Sequence, residues 1–316
     1  MKASSPPAST KTSTSMQPCA GDQAKDKPKL IVLPLQPQEG RAYDGTGLAV
    51  HFLLGNVIVL HTVFEEFWFG WRVKKIFPEK GGLSAYCRGE GPRVDAIRVG
   101  KEQGIRYLLR GRVQPWGNKI RVALVLTDAK GDNGERMTEL VLEPADQVIG
   151  FRKGFLTWFE TCGLPLPNVQ AAKALWPEVT TLRGLDILGR ALEIYYLHSY
   201  PEVKARLDLQ WFDKAVSAAP DSYLARNLKG WALYKRKDYQ AARESFQSAL
   251  EVNPNGLGAL SGLIWCGIYT QNEEMAYTWA ATRADLLGKT PKAAKAWVAS
   301  RMGRDVLEKK RKFFQN

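Results

Sequence analysis

The second half of this 316-residue chain repeats itself with a period of 34 residues, and this period constrains the fold more than any other feature. The aromatic and small residues of the two copies would fill a seam between paired helices, and the prolines would end the second helix of each pair. The residues that recur are Phe212 and Phe246, Ala215 and Ala249, and Pro220 and Pro254. Such a period predicts an array of stacked helix pairs.

The better of the two copies reads GWALYKRKDYQAARESFQSALEVNPN from Gly230. Gly230 and Ala242 are small enough to let two antiparallel helices approach closely, and Asp238 supplies the turn and cap between them. This segment resembles the tetratricopeptide (TPR) repeat. The resemblance implies that the first helices of successive repeats line a concave groove in which peptides are held.

The flanking copies depart from this pattern. The earlier copy has Tyr196 and Asp208 where small residues are usual, so its helix pair should be distorted. The later copy, residues 257–288, has Ala280 and Arg283 where Phe and Ala would fit. Because about three repeats are needed before stacking buries enough surface, we expect all of them to form.

The first half of the chain predicts a small α/β domain. The apolar run KLIVLPL is typical of a buried central strand that is stopped by Pro34. The predicted order is strand, helix, strand, helix, hairpin and helix, which favours helices covering a mixed sheet. The predicted elements are strands at 29–35 and 67–73, a helix from about 47, a helix at 94–103 closed by Gly104, strands at 105–114 and 118–130 joined by Pro115-Trp116-Gly117, and a helix at 146–162.

Three segments of this domain carry a second resemblance. They are KLIVLPL, the Asp44-Gly45 turn, and the run from Val94 to Gly131, which contains YLLRGRV and RVALVLTDA. They are similar to the TolB amino-terminal-like domain, which is often found upstream of TPR repeats in bacterial regulatory proteins. The similarity covers roughly residues 29–162, although residues 65–91 depart from it. It implies a bacterial, non-enzymatic sensory or docking module that brings no catalytic residues.

The sequence therefore predicts an α+β fold, a small α/β domain with a mixed sheet, followed by an all-α TPR-type helical repeat domain. The predicted segments are a disordered leader (1–28), the TolB-like domain (29–165), the helical repeats (166–288) and a basic amphipathic capping helix (289–316). In the last segment, apolar residues at i, i+4 spacing form one face: Ala294, Val298, Met302 and Val306.

Two segments, the leader and the apolar run 48–64, indicate in which compartment the protein is expected. The leader lacks the apolar core of a secretory signal, which favours the cytoplasm; the family analogy offers the cell envelope as an alternative. The run 48–64 is shorter than the roughly 20 residues that span a bilayer, and His51 and Asn56 interrupt it. We expect a buried helix there and no transmembrane segment.

One face of the first helices of two successive repeats predicts the site that binds a partner protein or peptide. This face carries aromatic side chains and a little positive charge, the types that most often dominate interface energetics. Its residues are Asn227, Trp231, Tyr234 and Lys235, followed one period later by Ser261, Trp265, Ile268 and Tyr269. The alternative is that these aromatic side chains pack between helices as core.

The formal net charge of +13 supports a second hypothesis. A basic run near the end of the chain could bind nucleic acid or an anionic surface. It consists of Lys309, Lys310, Arg311 and Lys312. The alternative is a solvated helix end that is stabilised by the helix dipole.

The sequence offers little material for catalysis. His51 and His61 would point about 80° apart on one helix, and His198 is the only other histidine. The cysteines form no C-x-x-C pair and are expected to be free thiols, mostly buried. Gly45-Thr46-Gly47 lacks the remaining residues of a phosphate loop. We therefore expect no metal, no cofactor and no enzymatic activity, but a scaffold or adaptor.

Overall fold

A computed structural model describes residues 28–40, 44–61, 65–66, 69–91, 94–131, 134–144, 148–164, 176, 178, 180–201 and 207–302. Within these ranges a mixed β-sheet comes first and a series of helices follows, as the sequence predicts. The predicted leader and the end of the predicted capping helix, including Val306, lie outside the described residues.

The sheet has the strand order β3-β1-β4-β5-β6. Strand β1 is parallel to its neighbours β3 and β4, and the β4-β5-β6 pairs are antiparallel. A two-residue strand, β2, continues alongside β4. The strands are β1 (Lys29–Val32), β2 (Gln36–Pro37), β3 (Glu65–Glu66), β4 (Tyr107–Trp116), β5 (Lys119–Asp128) and β6 (Glu135–Leu142).

Strand β1 forms because its side chains can be buried on both faces. Leu30, Ile31 and Val32 are fully shielded from solvent, and β1 lies between two parallel partners. Continuous apolar residues suit such a position. The prediction of a buried central strand is confirmed.

The helices of the sheet region are α1 (Thr46–His61), α2 (Val73–Ile76), α3 (Lys80–Cys87), α4 (Ala96–Gln103) and α5 (Ile149–Thr161). Helix α4 ends as predicted at Gly104, which has a left-handed φ of 62° that glycine adopts without steric cost.

The hairpin forms with a shorter turn than the sequence suggested. Pro115 and Trp116 pair with Ile120 and Lys119, so they belong to β4 and not to the turn. The connection consists of Gly117, which has a φ of 62°, and Asn118. A two-residue loop of this kind matches the twist of paired strands.

The strand predicted at residues 67–73 is wrong. A 3₁₀ turn occupies Phe69–Trp71, and α2 begins at Val73. The Phe69 ring lies 5.2 Å from the His51 ring and 5.0 Å from the Tyr196 ring, centroid to centroid. The backbone conformation of this segment is therefore determined by aromatic packing against two helices, and not by the alternation of apolar and polar residues in its sequence. Helix α3 and strand β6 were not predicted.

Helix α1 is buried on all sides. Every residue from Thr46 to Ile58 is shielded, because the sheet contacts one side of the helix and α6 (Leu182–Leu197) contacts another. His51 Nε2 lies 2.8 Å from Tyr196 Oη, and burial lowers the pKa of His51 to about 3. The prediction of a buried helix is confirmed. In the described ranges, no helix has the length and apolarity to cross a membrane.

Helix α6 is followed by helices that alternate in direction. They are α7 (Gln210–Ala218), α8 (Tyr223–Lys235), α9 (Tyr239–Val252), α10 (Leu257–Tyr269), α11 (Glu273–Leu286) and α12 (Pro291–Met302). Asp238 caps α9 and Asn272 caps α11, each accepting a hydrogen bond from a backbone N–H three residues on. Asp238 and Asn272 lie one period of 34 residues apart, so the two repeats also share the way in which their second helices begin.

The seam of the central repeat is filled by Phe246. The ring is fully buried and lies against Gly230 in α8 and Gly262 in α10. A Cβ atom at either glycine would overlap the ring. Ala242 and Ala249 are also fully buried. Small residues therefore allow three helices to close around one aromatic side chain.

The first copy has the same seam residues in a different setting. Phe212 and Ala215 in α7 are buried, and α7 and α9 each end two residues before a proline, Pro220 and Pro254. Tyr196 points toward the sheet region, where its hydroxyl contacts His51. The residue that departs from the repeat pattern thus joins the repeats to the sheet.

The sheet region and the repeats share one hydrophobic core. The Gly45 N–H donates to Asp186 Oδ1 at 2.8 Å, and Tyr200 Oη donates to the Phe77 carbonyl at 2.8 Å. At Gly189 the approach to Gly45 leaves no room for a Cβ atom.

A buried polar network makes a second connection. Glu178 accepts hydrogen bonds from Trp176 Nε1 at 2.7 Å and from Ser222 Oγ at the start of α8. Arg152 in α5 is fully buried, lies over the Trp176 ring and donates to the Trp176 carbonyl. The network therefore links the last helix of the sheet region to the central repeat.

Candidate functional site

A cavity of about 590 Å³ lies on the face formed by the first helices of the repeats. We call it the central cavity. Its lining comes from α6, α8, α10, α11 and α12, and from α1 and the 3₁₀ turn of the sheet region. This volume lies within the range of specific ligand sites in proteins.

The central cavity exists because the third repeat departs from the pattern. One period after Phe246 and Ala249 the chain has Ala280 and Arg283, and both line the cavity. The ring that fills the seam of the central repeat has no counterpart here. The irregular residues therefore create both the space and part of its charge.

Three tryptophans form the aromatic wall. Trp231 in α8 lies against the Phe246 ring, with 5.3 Å between centroids. The rings of Trp265 in α10 and Trp297 in α12 are 5.5 Å apart, edge to face. Trp297 is 39% exposed, whereas Trp265 is 8% exposed. Trp297 thus offers ring surface to a ligand, and Trp265 mainly supports it.

The sheet region closes part of the cavity. Phe52 in α1 and Gly70 in the 3₁₀ turn line it beside Tyr195 and Tyr196 of α6. A Cβ atom at Gly70 would contact the Tyr196 ring at 3.0 Å. The cavity is therefore composite, because residues from both halves of the chain form it.

Asn227 is the buried polar group of the cavity. Its side chain is 1% exposed, and its Oδ1 accepts no hydrogen bond from any residue that the structure describes. A buried amide oxygen without a hydrogen-bond donor costs free energy, so native structures usually pair it. Asn227 lies in the lining of the cavity.

The structure brings some of the predicted site residues together and places others elsewhere. Asn227, Trp231, Ser261 and Trp265 line the cavity. Tyr234 and Tyr269 form an aromatic cluster with Tyr239, in which the Tyr239 and Tyr269 rings stack at 5.3 Å. Ile268 is fully buried in the adjacent core.

Lys235 connects two helices instead of lining the cavity. Its Nζ donates to the Tyr195 carbonyl at 2.9 Å and lies 3.7 Å from the centroid of the Tyr195 ring. Burial lowers the pKa of Lys235 to about 7. Lys235 thus ties α8 to α6 behind the cavity wall.

Several lining residues were missed by the sequence reasoning. Ala293, Trp297 and Arg301 form one face of α12, at i, i+4 spacing. The neighbouring face of α12 has the same i, i+4 spacing, and it packs against the core. On that core face Val298 is buried, and Ala294 and Met302 pack beside it.

The other candidates from the sequence are the basic run near the end of the chain and the cysteines. Lys309, Lys310, Arg311 and Lys312 lie outside the described residues. Cys87, Cys162 and Cys266 are buried free thiols, as predicted. Across the described ranges, His, Cys, Asp and Glu side chains form no group of three or more that could hold a metal ion.

Comparison with known proteins identifies one segment. The family model described as tetratricopeptide repeat matches residues 223–255, which span α8 and α9. A search of curated proteins found no match. The chain thus joins an N-terminal mixed sheet to a series of helices that is consistent with a TPR helical repeat domain.

Proposed function

We propose that this protein is a non-enzymatic scaffold that holds a segment of a partner protein in the central cavity. TPR repeats generally mediate protein–protein interactions, and residues 223–255 match that family. The observation that carries the proposal is the cavity itself, with tryptophans on its wall and the unpaired amide of Asn227 inside it. Aromatic side chains supply contact area, and the amide supplies orientation.

In this proposal Asn227, Trp231 and Trp297 contact the partner, and Trp265 supports the Trp297 ring. Tyr234, Lys235 and Tyr269 act behind them by fixing α8 against its neighbours. The assignment follows from which side chains line the cavity and which are already engaged with protein groups.

The sheet region fits the role of a bacterial TolB amino-terminal-like docking module. The segments that carry that resemblance form a strand, a helix, further strands and a closing helix in this region. It also supplies Phe52 and Gly70 to the cavity. We infer that the module shapes the binding site in addition to any docking of its own.

A bulky residue placed in the cavity tests the proposal. Ala293 is exposed on α12 and lines the cavity, so Ala293→Trp fills space without removing any core contact. Affinity purification of the full-length protein from its host, followed by mass spectrometry, should show that this variant loses the proteins that the wild type retains.

The matched control is Ala296→Trp. Ala296 is exposed on the same helix but does not line the cavity, so this variant should retain the wild-type partners. Circular dichroism would establish that both variants fold. Retention of every partner by Ala293→Trp would exclude the cavity as the binding site.

A further inference from the structure

The charged side chains that line the central cavity are all cations. Arg283 in α11, Lys289 in the following loop and Arg301 in α12 line it, and no described Asp or Glu does. Of the ion pairs formed among described residues, none includes these three cations. The cavity therefore carries positive charge that the described part of the protein leaves without a counter-charge.

Arg283 is held in one orientation. Its Nε donates to Ser261 Oγ at 2.9 Å, and its two terminal nitrogens have no partner among the described residues. Burial lowers the pKa of Arg283. A guanidinium that is fixed at one edge presents its other donors as a planar fork, the geometry that a carboxylate accepts best.

Arg301 lines the same cavity as Arg283. Its Nε is shielded from solvent and donates to no residue that the structure describes, and its guanidinium lies 5.5 Å from the centroid of the Trp297 ring. A shielded N–H donor without a partner raises the free energy of the empty protein. An anion entering the cavity would remove that penalty.

The side chain of Asn227 indicates which class of ligand brings the negative charge into the cavity. Its unpaired Oδ1 is a hydrogen-bond acceptor. A peptide backbone supplies N–H donors, whereas a simple anion or a fatty acid does not. The combination of cations, an acceptor and aromatic rings therefore favours a peptide.

We propose that the central cavity binds an acidic segment of the partner, with side-chain carboxylates of Asp or Glu beside Arg283 and Arg301 and an apolar side chain against the tryptophans. This inference rests on the function proposed above. The cations come from the second helix of the last repeat, the loop after it and the terminal helix.

Two peptide libraries test this inference on the full-length protein. The probes are fluorescein-labelled dodecapeptides with blocked termini, each with one Phe or Leu and several Asp or Glu residues; the second library replaces each acid by its amide. Fluorescence anisotropy should show binding of acidic peptides, with affinity that falls as salt is raised. Their amide counterparts should bind at least about tenfold more weakly.

Charge-removing variants locate the contact. The double variant Arg283→Gln/Arg301→Gln should bind the acidic peptides at least about tenfold more weakly than the wild type. The matched control, Lys292→Gln/Lys295→Gln, removes the same charge from exposed positions of α12 outside the cavity and should bind within about twofold of the wild type.

A variant at Asn227 separates binding from folding. Asn227→Leu removes a buried amide oxygen that has no hydrogen-bond donor, so the melting temperature should stay the same or rise. Affinity for the peptides should nevertheless fall. A purely structural role for Asn227 predicts the opposite pair of results.

The outcomes distinguish this inference from the proposed function. Equal binding of acidic and amide peptides, or no binding of either library, would contradict the proposal that the partner segment is acidic. Each of these leaves the scaffold in place if Ala293→Trp still loses the cellular partners. Retention of those partners by Ala293→Trp would overturn both.

Discussion

Among single residues, Glu178 is an acidic side chain that lies inside the protein. Its carboxyl group is 2% exposed, and burial raises its pKa to about 7, although hydrogen bonds from Ser222 and Trp176 and the charge of Arg152 act in the other direction. The pKa of an unperturbed glutamate is 4.5. Between these two values the folded protein binds more protons than the unfolded chain.

This difference makes stability depend on pH. The contribution of Glu178 to the free energy of unfolding is fully present below pH 4.5 and is lost as pH rises through about 7. The loss amounts to about 3 kcal/mol at most. Glu178→Gln keeps the shape of the side chain but does not titrate. The stability of the wild type relative to this variant should therefore fall between pH 4.5 and 8.

Urea unfolding at several pH values measures this difference. The comparison isolates Glu178, because His51 and Lys235 titrate alike in both proteins. Parallel curves would contradict the raised pKa. If the wild type instead became more stable relative to Glu178→Gln as pH rises, the ionised carboxylate would be stabilised by Arg152.

The sequence could indicate some of these residues and not others. Asn227 and Trp231 were identified because a helical projection fixes which residues share a face. The same projection misplaced Lys235, since a long side chain can reach a carbonyl of a neighbouring helix. Glu178 gave no signal, because its burial depends on contacts with α5 and α8, which are distant in sequence.

At the scale of elements, the contact of α8, α9 and α10 around Phe246 depends on two glycines. Glycine inside a helix usually lowers stability by about 1 kcal/mol relative to alanine. At Gly262 this cost is outweighed, because a Cβ atom would overlap the Phe246 ring, which is enclosed on its other side by Gly230. Glycine here is required by helix packing.

Gly262→Ala should therefore destabilise the protein by about 1–3 kcal/mol despite the gain in helix propensity. Gly81→Ala is the matched control, since Gly81 is exposed in α3 and has open space around its Cα; it should be neutral or stabilise by up to about 1 kcal/mol. Denaturant unfolding measures both. If Gly262→Ala were as stable as the wild type, α10 could move away from the Phe246 ring at no cost in free energy, and glycine would not be required there.

Elements with a local signal were predicted, and those set by distant contacts were not. The helices α8 and α9 follow from small residues, a cap and a proline that lie close together in sequence. The 3₁₀ turn Phe69–Trp71 is set by contacts with α1 and α6 instead. Strand β6 alternates in burial, but charged residues break its apolar pattern, so it gave only a weak signal.

At the scale of the whole molecule, α1 and α6 join the sheet region to the repeats. They approach closely where Gly45, just before α1, meets Gly189 of α6, and Asp186 reinforces this contact by accepting the Gly45 N–H. One hydrophobic core runs through both regions. The two regions should therefore unfold in one transition.

Gly189→Ala tests this coupling. The added methyl group would overlap the Gly45 carbonyl and should lower stability by about 1–3 kcal/mol. Hydrogen exchange should become faster in α1 and α6 together, because protection is shared within one cooperative unit. Gly154→Ala in α5, where a Cβ atom makes only ordinary contact, should leave both rates unchanged. Faster exchange in one region alone would contradict the coupling.

The complete burial of α1 also has a consequence during synthesis. Helix α6, which covers one side of α1, is encoded roughly 120 residues downstream, so the ribosome needs on the order of ten seconds to deliver it. Until then, the apolar side of α1 that packs against α6 in the folded protein lacks this partner. A chaperone that shelters apolar helices at the ribosome exit would find a substrate in this half-made protein.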